Sequence, residues 1–97
     1  MANVRRGHDT ERRCADELRE KGYSVIRSAA SKGAFDVIAV NATEVLFVQC
    51  KRTKSYARRA QLKDVRALKE AAVPMAGNVR KELWCWVDRK GWHITPC

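Results

Sequence analysis

The 97-residue sequence predicts an α/β fold, a mixed sheet flanked by helices in the order αβββαββ. Three observations carry that expectation. Apolar residues recur at helical spacing in two segments, β-branched and aromatic residues gather in five short runs, and Gly, Asn or Pro separates most of these stretches. A chain of this length accommodates one domain, and residues 1–97 are read as a single one.

Each element has its own signal. Residues 10–21 read as a helix in which Cys14 and Leu18 recur at i, i+4, Ala15 joins them, and Gly22 is the stop. Arg12, Asp16, Arg19 and Glu20 take the solvent side. Tyr23, Val25 and Ile26 make residues 23–27 a short strand, and residues 28–34, with Ser31 and Gly33, a small-residue loop. Residues 35–40 read as a second strand, apolar apart from Asp36, and Asn41-Ala42-Thr43 turns it into a third at 44–51. Leu62, Val65, Leu68 and Ala72 form one apolar stripe of a second helix over 57–72, which Pro74 and Gly77 end. Residues 83–88 and 92–95 close the sheet around Arg89-Lys90-Gly91. Trp84, Trp86 and Trp92 read as core or dimer contacts in preference to base-stacking platforms.

Charge narrows the partners. Net charge is +9, and residues 51–69 hold eight Lys and Arg against Asp64 alone. Residues 36–50, by contrast, contain Asp36 and Glu44 and no base. A basic face beside a small acidic spot suits a polyanion handled through a metal ion, although charge alone does not separate nucleic acid from an anionic membrane surface. No run approaches the roughly 18 apolar residues of a membrane span. Residues 1–13 carry four arginines and no apolar core, so they do not read as a secretory signal. The expected location is intracellular: cytoplasm or nucleoid, or the host cell if the source is viral. Cys14, Cys50, Cys85 and Cys97 are too scattered for a zinc motif, and the first three, each inside an apolar pattern, read as buried free thiols.

Polar residues that interrupt strands are the candidates for chemistry. A carboxylate in Phe35-Asp36-Val37-Ile38 costs desolvation, and its bland reading is a cap on a local turn. Gln49 and Lys51 lie two apart, so strand alternation puts them on one face while Leu46, Val48 and Cys50 take the other. In a hairpin these residues converge with Asp36. Phosphodiester hydrolysis needs hard oxygen ligands for Mg²⁺ (or Mn²⁺), and Asp36, the Gln49 amide oxygen and the Cys50 carbonyl supply them. The Lys51 ammonium is suited to hold the attacking water and stabilise developing charge. Glu11 is a further candidate ligand; placed in the first turn of helix 1, it reads equally as a partner of the helix dipole.

Asp36, then Gln49-x-Lys51, resembles the core motif of the PD-(D/E)XK nuclease superfamily, and in detail that of archaeal-type Holliday junction resolvases. Arg6-Gly7-x-x-x-Glu11-Arg12 resembles their N-terminal helix motif, Gly22-Tyr23-x-Val25-x-Arg27 their next strand, and Ser31-x-Gly33 their serine loop. The resemblance implies a restriction-endonuclease-like core and a metal-dependent DNA endonuclease acting on branched DNA as a homodimer. It implies a catalytic set of Glu11, Ser31, Asp36, Gln49 and Lys51. Arg5, Arg6, Arg52, Lys54, Arg58 and Arg59 then grip phosphates, with Gln61 a polar residue of the second helix on the DNA side. Two departures stand out. Phe35 replaces the usual proline, and Gln49 replaces the usual Glu or Asp, which removes one negative charge. Two alternatives remain open: a DNA-binding module of the same fold with weak or lost catalysis, and a related phage- or restriction-type nuclease acting on duplex or flap DNA.

Overall fold

The structure, a computed structural model, describes residues 2–27, 35–71 and 77–97, without the side chains of residues 2–8 and 60. The elements run α1 (Ala2–Glu20), β1 (Ser24–Arg27), β2 (Val37–Val40), β3 (Val45–Thr53), α2 (Arg58–Glu70), β4 (Val79–Val87) and β5 (Gly91–Pro96). They form the expected mixed α/β arrangement. One five-stranded sheet has the order β1-β2-β3-β4-β5, in which β3 and β4 are parallel and the other neighbours antiparallel. Among the described residues no helix is long and apolar enough to cross a membrane.

Strand alternation divides the sheet into two unlike faces. Val37, Ala39, Leu46, Val48 and Trp84 are buried against Cys14 and Leu18 of α1, with Val25, Cys50 and Trp92 packed around them. Burying a leucine such as Leu18 is worth roughly 1.5–3 kcal/mol, so a handful of contacts fixes α1 to its face. A left-handed Gly22 ends α1, where the Tyr23 N–H donates to the Leu18 carbonyl at 3.1 Å. The opposite face takes α2, whose buried Leu68 packs inward and whose last carbonyls, on Lys69 and Ala71, accept from the largely buried Lys81 ammonium at 3.0 and 3.2 Å. That side-chain cap satisfies backbone groups a helix end otherwise leaves open.

Four expectations are corrected. Helix α1 begins at Ala2, not residue 10, because no proline or competing turn interrupts residues 2–9. Glu11 therefore lies mid-helix, and the first-turn dipole reading fails. Strand β2 starts at Val37, which leaves Asp36 in a bend just before it. On α2, Leu62 is 53% exposed while Gln61 is 8% exposed, so the inward face runs through Gln61, Val65 and Leu68; Ala72 lies outside the described residues. Counting apolar residues alone misplaced that face because the helix turns polar groups toward the sheet. Strand β4 starts at Val79, four residues early, since its charges find partners: Arg80 with Glu44 at 2.8 Å, and Glu82 with the Trp84 indole N–H at 3.0 Å. Tyr23 also donates to Glu44.

Among the described residues the cysteines are free; Cys14 and Cys85 are buried and Cys50 half-buried. Trp84 belongs to the core, and Trp92 stacks edge-on against both Trp84 and Trp86 at 5.2 Å.

Candidate active site

Asp36 lies just before β2 begins, beside the part of β3 that continues past the β2 ladder. Its own N–H donates to the Val48 carbonyl at 2.9 Å, and its Oδ2 accepts the Cys50 N–H at 2.9 Å. The carboxylate thus takes the place of the next backbone acceptor in the ladder. A strand residue directs its N–H and C=O to the same neighbour, so the Cys50 carbonyl also points to the Asp36 side. Burial pushes the Asp36 carboxyl above its ordinary range, against the lowering effect of the Cys50 N–H and the Lys51 charge.

Gln49 and Lys51 occupy the face opposite Leu46, Val48 and Cys50, as alternation requires. The Gln49 Oε1 is buried and accepts no hydrogen bond among the described residues. An orphaned amide oxygen in a native interior is uncommon and calls for a partner beyond the described groups. The Lys51 ammonium lies 3.6 Å from Asp64 of α2. Gln61, one turn earlier on the same helix face, has a second orphaned buried oxygen. Its side chain is 8% exposed and so turned inward on α2, unlike the exposed Arg58 and Arg59.

Glu11 approaches from the α1 side. The Cys50 thiol is pushed far up by its hydrogen bond with the Cys14 thiol, by burial, and by the negative charges of Asp36 and Glu11. It stays protonated, so Cys50 offers its carbonyl and not a thiolate. Among the described residues no three His, Cys, Asp or Glu side chains converge. The candidate oxygen donors are instead one carboxylate, one amide and one carbonyl, with Glu11 within electrostatic reach of Cys50. Hard oxygens of this kind fit Mg²⁺ or Mn²⁺, and the unpartnered Gln49 oxygen beside a carboxylate held up by burial is consistent with such a guest.

The phosphate-gripping candidates separate. Lys54, Arg58 and Arg59 are exposed on and before α2. Arg52 is bonded by Asp88 at 3.0 Å, which offsets part of its charge. It lines a cleft of about 260 Å³ with Asp9, Thr10, Arg13 and Trp86, and the Arg13 guanidinium lies 4.1 Å over the Trp86 ring. Arg13, Asp64 and Asp88 escaped the sequence reading; only Asp64, the single acid in a basic run, left a signal. Ser31 and the side chains of Arg5 and Arg6 lie outside the described residues.

Comparison with known proteins follows the same lines. A family model described as archaeal Holliday junction resolvase (Hjc) matches residues 2–95. The crossover junction endodeoxyribonuclease Hjc of Methanocaldococcus jannaschii is 38% identical over 69 residues, covering 68% of this chain and 51% of that protein. The chain spans about half the length of that curated relative. The solved structure of Hjc from Archaeoglobus fulgidus, a Holliday junction resolvase from an archaeal hyperthermophile, superposes with a TM-score of 0.66. It is 20% identical, covers 94% of this chain and 72% of its own, and shares the fold.

Proposed function

We propose a function from one premise: this chain belongs to the archaeal Holliday junction resolvase (Hjc) family. Residues 1–97 form a nuclease-like domain that hydrolyses phosphodiester bonds of branched DNA, foremost at four-way junctions. The observation that carries this reading is the Asp36 carboxylate bonded to the Cys50 N–H at 2.9 Å, in a site that also holds the orphaned Gln49 oxygen and the Lys51 ammonium. Asp36, Gln49, the Cys50 carbonyl and Glu11 would hold Mg²⁺ or Mn²⁺. Such an ion, when bound, supplies charge neutralisation at the phosphate and a more acidic water.

The chain's own groups do the remainder. The Lys51 ammonium orients the attacking water and stabilises charge developing on the phosphate oxygens. Lys54, Arg58 and Arg59, with Arg5 and Arg6 of α1, hold the backbone without reading sequence, and Arg52 contributes what Asp88 leaves of its charge. Gln61 faces inward on α2, and Ser31 lies outside the described residues. A homodimer would present two such sites to two strands of one junction. Ile26, 63% exposed, and Val40, 37% exposed, supply apolar surface for a second copy. The setting is intracellular, where such DNA is found.

One observation favours a second reading. Gln49 brings no negative charge, so a branched-DNA-binding module with weak cleavage also accounts for the fold and the basic face. Four-way, flap, duplex and single-stranded DNA, each with Mg²⁺ and with Mn²⁺, separate the readings. The expected result is preferential cutting of the four-way junction. Equal cutting of duplex or flap DNA would overturn the substrate, and tight junction binding without cleavage would favour the binding module.

A further inference from the structure

Residues 51–69 contain one acid among eight bases, and the structure sets that acid, Asp64, against Lys51. The Lys51 Nζ lies 3.6 Å from Asp64 Oδ1, and the carboxylate is the less exposed partner, at 24% against 44%. Asp64 shares the inward side of α2 with Val65 and Leu68, while Lys63 and Arg66 of the same helix are exposed. Lys51 is itself on the face of β3 that carries Gln49, and it pairs in register with the buried Cys85 of β4. The ammonium therefore lies between a strand that carries a neutral amide and a helix that carries an anion.

Two facts set this contact apart from an ordinary surface pair. An acid in this otherwise basic run lowers the positive charge available to a polyanion, so its presence is unfavourable for binding. The site also lacks the carboxylate usual at position 49, and Asp36 is already engaged by Cys50. A long lysine side chain with no anion beside it samples many rotamers, and each lost orientation lowers the share of productive encounters.

We propose that Asp64 is a positioning residue for cleavage: its carboxylate anchors the Lys51 ammonium on the site's face of the sheet and supplies, from α2, the negative charge that glutamine at position 49 withholds. The inference rests on the nuclease reading above.

The test uses the full chain with a four-way junction and Mn²⁺. Asp64→Asn lowers kcat between about 10- and 100-fold, the usual cost of a misplaced group, while KM for DNA is unchanged or falls. Asp64→Glu recovers most of that loss, and adding Gln49→Glu to Asp64→Asn recovers part of it. An ion pair with only a structural role would give none of this pattern. A kcat for Asp64→Asn within twofold of native, in a protein of native thermal midpoint, overturns the proposal.

A second readout needs neither DNA nor metal. In protein with ¹⁵N-labelled lysine side chains, the Lys51 ammonium relaxes as a more ordered group than those of Lys54 and Lys63, and Asp64→Asn removes the difference. A native Lys51 as mobile as Lys54 overturns the anchoring whatever cleavage shows. Native protein that cleaves no DNA with an ordered Lys51 overturns the nuclease reading instead and leaves Asp64 as an ion pair without a catalytic role.

Discussion

At the scale of single residues, the raised pKa of Asp36 links function to stability. Burial favours its protonated form, so the folded chain holds more protons than the unfolded one between the ordinary carboxylate pKa and the raised value. Stability falls as pH rises through that window, and the penalty persists at pH 7. Asp36→Asn removes the charge yet keeps an oxygen for the Cys50 N–H. It is expected to raise the thermal midpoint at pH 7 while abolishing cleavage, and the gain should vanish below the ordinary carboxylate pKa. Calorimetry across pH reads both outcomes. With Gln49 as a proposed metal ligand, Gln49→Ala is expected to raise the Mn²⁺ concentration for half-maximal cleavage or abolish activity, and Gln49→Glu to lower it, because an anionic oxygen offsets dehydration of the ion better than an amide does. A metal titration in which Gln49→Ala matches the native protein would remove Gln49 from the ligand set. Gln49 and Lys51 were legible in sequence because a period of two assigns them one face of β3, and Asp36 because a carboxylate interrupts an apolar run. Asp64 and Arg13 were not, since each reaches its partner from a different element.

At the scale of elements, the polar cap on α2 is the most consequential contact outside the site. Lys81 crosses from β4 to two carbonyls at the end of α2, and it is 9% exposed. Lys81→Met would leave those carbonyls without a donor, a loss of about 1–3 kcal/mol that urea unfolding should report as a lower midpoint with an unchanged slope. The same contact explains why β4 was read too short. Val79-Arg80-Lys81-Glu82 looks like a solvated run, and only the packed molecule shows that Arg80 has Glu44 and that Lys81 has a helix end. Helix α2 was recognised but turned, because Gln61 and Asp64 face inward for reasons that apolar spacing does not encode. Helix α1 was found from its core pair, Cys14 and Leu18, and its upstream half was missed for want of apolar repeats.

At the scale of the whole molecule, the net charge of +9 predicts that the proposed DNA binding is steeply salt-dependent, with each lost phosphate contact lowering the slope of log K against log salt by about one. Arg58→Ala is expected to do this equally for junction and duplex, whereas Asp36→Asn leaves the slope unchanged; a fluorescence titration at several salt concentrations distinguishes them. The strand order has a kinetic consequence as well. β1, β2 and β3 form a meander whose neighbours are close along the chain, but β4 pairs in parallel with β3 only after α2 has been traversed. Local pairings close cheaply and the parallel one closes late. Truncating Phe47, which faces Ile38 across the β2–β3 ladder, should therefore slow refolding, and truncating Val87 at the far end of β4 should chiefly speed unfolding. Asp36, Gln49 and Lys51 all ride on the early meander, while Asp64 and Asp88 arrive with the late half. The oxygen cluster would thus be assembled before the carboxylates that restrain its lysine and its neighbouring arginine, so a nascent chain would acquire its capacity to hold metal before its capacity to use it.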